Sequence, residues 1–120
     1  MADLSGPFIA TCPTRMLLDQ LADKWSVLLL IAVSENPVRF NTLKRQIEGI
    51  SQKMLGQTLR RLEMNGLVRR EAFATVPVTV QYGITPLGVS LVPIVDALRQ
   101  WSVTHVAEIL AARNSFTSEN

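Results

Sequence analysis

The chain has 120 residues and a mass of 13.3 kDa, enough for one domain with its own core and too little for two. With 48% hydrophobic and 18% charged residues, six Gly, six Pro and a single Cys, the composition excludes a disordered tail, a collagen-like repeat, a coiled-coil rod and a disulfide-built module. The net charge of +2 conceals a segregation: eight basic residues face two acidic ones between Arg39 and Arg70, so a polyanion-facing middle with acidic arms of another purpose is expected.

Residues 1–13 contain Ser5-Gly6-Pro7 and little periodicity, and read as an irregular arm. Asp3 stands where a signal peptide would carry positive charge, and no apolar stretch follows it, so a cytoplasmic location is expected. Thr14 is the expected N-cap of a first helix, in which Leu17, Leu18, Leu21 and Ala22 recur at helical spacing. Asp23 caps a second helix from Lys24 to about Ser34, and Asn36-Pro37 stops it. With its run Val27 to Val33 this helix is apolar on most sides, the mark of a central core helix. That run is the longest in the chain and far below the roughly 18 residues of a membrane span, so no membrane partner is expected.

A short extended piece, Val38-Arg39-Phe40, leads to Asn41 as N-cap of a third helix with Leu43 and Ile47 inward. Gly49-Ile50-Ser51 is a tight turn, and Ser51 caps a fourth helix over Gln52 to Met64. Leu55, Leu59 and Leu62 form its inner face, and Asn65-Gly66 ends it. Leu67 to Phe73 and Val78 to Ile84 read as strands joined by the tip Ala74 to Pro77. Thr85-Pro86 opens a last helix, read as uninterrupted to about Arg113, with Gly88 weakening its first turn. Residues 114–120 read as a frayed tail.

Helix, helix, tight turn, helix, hairpin, helix is the order of a mainly α (α+β) winged helix-turn-helix domain with a two-stranded wing, here spanning residues 14–113. The outer face of the fourth helix carries Lys53, Gly56, Gln57 and Arg60 on one stripe, without a carboxylate. Cations and amides of this kind pair with guanine and adenine edges in the major groove. Gly56 allows close backbone approach, and Ser51 and Gln52 sit in the first turn, where backbone N–H groups favour a phosphate. Arg39, Lys44, Arg61, Arg69 and Arg70, with Thr75 and Thr79 of the hairpin tip, are the candidates for contacts to the flanking backbone or minor groove. The blander alternative for any one of these cations is a solvated helix face.

The runs Cys12-Pro13, Lys24-Trp25, Arg39-Phe40, Gly49-Ile50-Ser51-Gln52-Lys53-Met54-Leu55, Leu59-Arg60-Arg61-Leu62-Glu63, Asn65-Gly66-Leu67-Val68 and Tyr82-Gly83-Ile84-Thr85 resemble the HxlR family of bacterial transcription regulators. The resemblance covers about Cys12 to Trp101. It implies a dimeric winged-helix regulator, expected to repress, that binds double-stranded operator DNA near its own or neighbouring genes. The helix from Ser51 would be the recognition helix and the Arg69 to Ile84 hairpin the wing. Gly56 and Gln81 stand where relatives often carry a polar side chain and a Glu.

A helix from Pro86 to Arg113 would be about 42 Å long, longer than a domain of this mass is wide. Its apolar residues form more than one stripe, so a homodimer is expected, with Phe8, Ile9, Leu91, Val95, Leu98, Trp101, Val106 and Leu110 at the interface. Two recognition helices about 34 Å apart would then read an inverted repeat. Cys12, near a helix N-terminus and Arg15, is a candidate redox sensor for oxidants or electrophiles, against the alternative of a small buried hydrophobe. The resemblance points the same way, because some family members sense oxidants through an N-terminal Cys at a matching place. Trp25, Trp101 and Phe8 are candidates to line a pocket for a small aromatic effector.

His105 has no second His or Cys near it, so neither metal nor cofactor is expected. No phosphate loop, nucleophile–base pair or carboxylate dyad suggests an enzyme. The rival function is a winged helix used for protein contact without DNA.

Overall fold

A computed structural model describes residues 6–119; the start of the expected arm, residues 1–5, and Asn120 lie outside the described residues. A 3₁₀ turn, Gly6–Phe8, precedes α1 (Pro13–Leu21), α2 (Lys24–Ala32), β1 (Val38–Arg39), α3 (Phe40–Gln46), α4 (Gln52–Met64), β2 (Val68–Phe73), β3 (Thr79–Ile84) and α5 (Pro86–Glu119).

The caps explain most of these boundaries. The Asp23 carboxylate accepts from the Ser26 N–H at 3.0 Å, and the Ser51 hydroxyl accepts from the Met54 N–H at 3.0 Å. At the far end of α4 the Gly66 N–H bonds to Glu63 O at 3.0 Å and the Leu67 N–H to Leu62 O at 2.9 Å. That Schellman pair requires a left-handed residue, supplied by Gly66 at φ 75°. Thr85 Oγ1 accepts from the Gly88 N–H at 3.0 Å and opens α5.

Two starts differ from expectation. α1 begins at Pro13 with Cys12, not Thr14, as the N-cap residue, because Pro is preorganised for the first helical position. α3 begins at Phe40 rather than after Asn41, since the chain turns into it directly from β1.

The sheet is three-stranded and antiparallel, ordered β1-β3-β2. The expected two-stranded wing is present, with register Val68↔Ile84 to Phe73↔Thr79, and β1 adds Val38↔Tyr82 and Arg39↔Gln81. β1 ties the start of α3 to the base of the wing.

Leu29 and Leu30 of α2, Leu43 of α3, and Leu55, Leu59 and Leu62 of α4 are fully buried and form the centre of the core. Burial of each such side chain contributes about 1.5–3 kcal/mol. Leu67, Val68 and Tyr82 close it on the sheet side, and α5 adds Val95.

Val95 was expected in an interface between copies; at 7% exposure it belongs to its own core, with Leu91 half-buried beside it. Gly88 completes the same stripe at i, i+3, i+7. A Cβ built there would fall far inside contact distance of the Leu67 carbonyl oxygen, so this glycine permits the approach of α5 to β2 rather than merely weakening a turn.

Beyond Val95, α5 runs on beside α2 as far as Val103 and then projects from the domain. Its 34 residues span about 51 Å, and the molecule measures 59 Å along its longest axis. The radius of gyration, 17.5 Å, exceeds the roughly 14 Å of a compact chain of this length. The helix passes through Pro93, which the uninterrupted reading overlooked. The ring is exposed, at the cost of the N–H that would pair with the Val89 carbonyl. The tail expected beyond Arg113 is helical to Glu119.

Candidate nucleic-acid interface

α3, its turn and α4 make the helix-turn-helix. Gly49 adopts φ 90°, a backbone that L side chains rarely enter, and the following Ile50 is buried as the anchor of the turn. With Leu55, Thr58, Leu59 and Leu62 turned inward, the opposite face of α4 is set by the helical period. Gln52, Lys53, Gly56, Gln57 and Arg60 come together there around a shallow concavity whose far wall is Phe40.

The sequence reading brought Lys53, Gly56, Gln57 and Arg60 to one stripe and Gln52 to the first turn beside it, but missed Phe40, the first residue of α3. A Cβ on Gly56 would meet no atom within 4 Å, so nothing in the protein requires a glycine there. Lys53 and Arg60 form no ion pair among the described residues. The backbone N–H groups of the first turn of α4 add their partial positive charge at the end where Ser51, Gln52 and Lys53 sit.

A second depression, of about 610 Å³, lies between the start of α3 and the wing. Arg39, Arg45 and Arg70 line it with Asn41, Thr42, Thr79 and Tyr82. Arg45 is held by a hydrogen bond from Nη2 to Thr42 Oγ1 at 3.3 Å. It counts among the eight central cations, yet it was not singled out as a site residue. None of these three arginines forms an ion pair among the described residues. Lys44, on the same helix, is exposed.

Two expected backbone contacts are committed elsewhere. Arg69 Nε donates to Glu71 Oε1 at 2.9 Å and Nη1 to Ile84 O at 2.8 Å, and the guanidinium lies over Gly83. Neighbours on a strand face opposite ways, so Arg70 enters the depression while Arg69 braces the other side of the wing.

Arg61 turns away from the α4 stripe and reaches Asp23 Oδ2 at 3.5 Å, with both side chains 34% exposed. Its Nε is buried without a partner. There it belongs to a polar clasp in which Ser26 Oγ donates to Asp23 Oδ2 at 3.0 Å and Asn65 Nδ2 to Gln20 Oε1 at 2.7 Å. The clasp joins the end of α1, the start of α2 and the end of α4.

The two wing threonines are also spent within the wing. Thr75 Oγ1 donates to Pro77 O at 2.8 Å and lies 3.0 Å from Thr79 Oγ1.

Cys12 is half-buried at the head of α1. The backbone N–H of Arg15, then that of Thr14, holds its thiol below the ordinary cysteine range, with a smaller opposing effect of burial. Phe8 and Ile9 beside it are exposed, and no residue of α1 is buried. Leu98, Trp101, Val106 and Leu110 line the projecting part of α5 and are exposed, with Trp101 stacked on His105 at 4.6 Å between ring centroids. No cluster of three or more metal-ligating side chains occurs among the described residues. No helix among them is long and apolar enough to cross a membrane.

An apolar groove of about 410 Å³ runs between α2 and α5, lined by Val27, Leu28, Ile31, Leu98 and Val103 among others. The aromatic trio expected to line an effector pocket is not its lining. Trp25 instead packs under the turn at Gly49 and carries Lys24 Nζ 4.4 Å above its ring.

A helix-turn-helix whose second helix carries a carboxylate-free outer stripe, with a cationic cleft and a wing, defines a winged-helix DNA-binding protein of the transcription-regulator kind. Residues 10–109 match the family model of the HxlR-like helix-turn-helix proteins, and the chain belongs to that family. It is 41% identical over 107 residues to the uncharacterised HTH-type transcriptional regulator YtfH of Escherichia coli K12, covering 89% of this chain and 85% of that protein. The structure of a putative transcriptional regulator, ytfH from Salmonella typhimurium, superposes with a TM-score of 0.85 at 37% identity, covering 89% of this chain and 96% of the other. The redox regulator HypR in its oxidised form superposes with a TM-score of 0.71 at 36% identity, covering 78% of this chain and 96% of HypR. The chain is therefore a transcriptional regulator of the helix-turn-helix type.

Proposed function

We propose that the chain is a homodimeric, sequence-specific repressor that lays one α4 of each protomer into successive major grooves of an inverted-repeat operator. The observation that carries this reading is the division among its cations. Arg61, Arg69 and Arg99 are paired with carboxylates, whereas Lys53, Arg60, Arg39, Arg45 and Arg70 all point into two depressions of the same motif without an acidic partner among the described residues.

Lys53, Gln57 and Arg60 read base edges, and Gly56 lets the helix backbone close on them. Ser51 and Gln52 hold a phosphate at the head of α4. Arg39, Arg45 and Arg70, with Lys44 beside them, fix the register on the flanking backbone. The exposed faces of α1 and of α5 beyond Val95 cover one another in the dimer.

Cys12 supplies the signal in this reading. Its lowered thiol is the reactive form, and HypR, a similar protein, is a redox regulator by name. Two Cys12 thiols, or one with a small-molecule thiol, form a disulfide while an oxidant such as diamide takes up two electrons and two protons. Because α1 is joined to α4 by the Gln20–Asn65 bond, strain at the head of α1 has a path to the reading helix. An aromatic effector in the α2–α5 groove is the alternative signal, favoured by the apolar lining.

The test is selection of duplexes from a random pool by the full chain, followed by binding of the enriched site by Arg60→Ala. The expected result is an enriched inverted repeat for which the variant loses about 1–3 kcal/mol of discrimination. Failure to enrich any sequence contradicts the reading.

A further inference from the structure

A glycine stands in the middle of the reading face. Gly56 follows Gln52 by one turn of α4 and precedes Arg60 by one turn, about 6 Å from each along the helix axis. Its backbone is ordinary helix, where glycine is a weak former, and a Cβ built on it projects into open space. What the bare position does is uncover Phe40. The Phe40 ring is the one apolar side chain among the residues lining this concavity, beside Gln52, Lys53, Gln57 and Arg60.

The ring is held from behind. Phe40 packs against the core, and it opens α3 directly after Arg39, which pairs with Gln81 across the sheet. It also lines the neighbouring cleft of Arg39, Arg45 and Arg70. The notch between Gly56 and Phe40 is therefore a small apolar place between two cationic surfaces. What enters it arrives as part of a polyanion.

We infer that this notch receives the C5-methyl group of a thymine in the major groove, and so fixes a T·A pair inside the half-site read by α4. The assignment rests on the DNA-binding reading above and adds a specificity determinant to it. Of the base edges that an unmodified duplex shows in its major groove, only that of thymine carries an apolar group; the rest is N7, O6 and O4 acceptors and amino donors. Those polar atoms fall to the long side chains around the notch, with Gln52 and Lys53 before it, Gln57 beside it and Arg60 beyond. Base pairs follow one another every 3.4 Å or so, so the notch faces a pair lying between those that its neighbours reach. A purine there sets its N7 acceptor against the ring in place of water, and a cytosine leaves the notch unfilled. Because Gly56 and Phe40 are already in place, the methyl is buried without ordering a side chain.

The probe is the duplex that the wild-type chain enriches from a random pool, remade with uracil for each thymine of the half-site in turn. Uracil keeps the pairing and the O4 acceptor and removes only the methyl. At one position per half-site the change weakens binding about fourfold, and in both half-sites together about fifteenfold, as the loss of a buried methyl requires. Gly56→Ser fills the notch and folds as before, the space there being open. That variant binds the thymine and uracil duplexes equally, whereas a side chain that merely held the helix off the groove would weaken both and keep their ratio. In the wild-type complex an isotope-labelled methyl on that thymine shows nuclear Overhauser contacts to the Phe40 ring protons.

A half-site with no methyl-sensitive thymine overturns the inference. So does a thymine-over-uracil ratio that survives Gly56→Ser, or a labelled methyl without contact to Phe40. Each of these leaves the reading of DNA by the polar side chains standing. Enrichment of no sequence at all sinks the DNA reading with it.

Discussion

The half of the chain that ends at Val95 and the half formed by α1 and the rest of α5 use apolar residues in opposite ways. In the first, Leu29, Leu30, Leu43, Leu55, Leu59 and Leu62 are wholly withdrawn from water. In the second, Met16, Leu18, Leu98, Trp101, Val106 and Leu110 are each about half in water or more, and α1 has no fully buried residue, only Leu21 packed partly against the core. The compact half can hold itself together. The projecting half carries the apolar surface of a core without the other side of it, the surface that the second copy of the proposed dimer covers.

Leu59→Ala should break the compact half hardest, at about 2–5 kcal/mol in denaturant unfolding, because its site is closed on every side. An equally large truncation at exposed Leu110 should leave the unfolding of the winged-helix half unchanged. Gly88→Ala follows at about 1–3 kcal/mol, since the added methyl has to push α5 off the Leu67 carbonyl.

Asp23→Ala removes the α2 cap and leaves Arg61 without its acid, for about 1–2 kcal/mol in the same measurement. Conversion of Arg61 to Met should cost less and leave DNA affinity near that of the wild type, in contrast to Arg60→Ala. Gly56→Ala should move in the other direction, stabilising α4 by about 1 kcal/mol or less in thermal unfolding while weakening DNA binding. A gain in both would show that nothing approaches that turn.

Cys12 separates folded from unfolded chain by pH. Its folded thiol ionises below the unfolded one, so the stability it adds is present above the unfolded pKa and is lost as pH falls through the folded value. Iodoacetamide should therefore alkylate folded Cys12 with a midpoint at lower pH than in urea. Coincident midpoints would remove the physical basis for its reactivity.

Much of the compact half was legible because its signals are local. Ser51 and Asn65-Gly66 bound α4 at the positions where the structure begins and ends it, and Asp23 and Thr85 cap as read. The recognition stripe followed from the helical period alone. Direction was harder to read from charge. Arg60 and Arg61 are adjacent, but about 100° apart around a helix, and Arg69 and Arg70 lie on opposite faces of a strand. Strict alternation from buried Val68 would have sent Arg70 and Arg69 to different faces. Val38-Arg39 reads as extended, but its place as a third strand was not legible, because two residues carry no period of their own and the pairing with β3 is a tertiary event. Val95 was assigned outward because two apolar stripes on one helix look alike until the core beside them is known.

The most direct measurement is the mass of the chain in solution and on its selected duplex, by sedimentation equilibrium. Two chains in solution and two on one duplex are expected, with Leu98→Glu/Trp101→Glu sedimenting as a folded monomer. A wild-type chain that sediments near 13.3 kDa at tens of micromolar, and binds singly, would contradict the pairing of the projecting half.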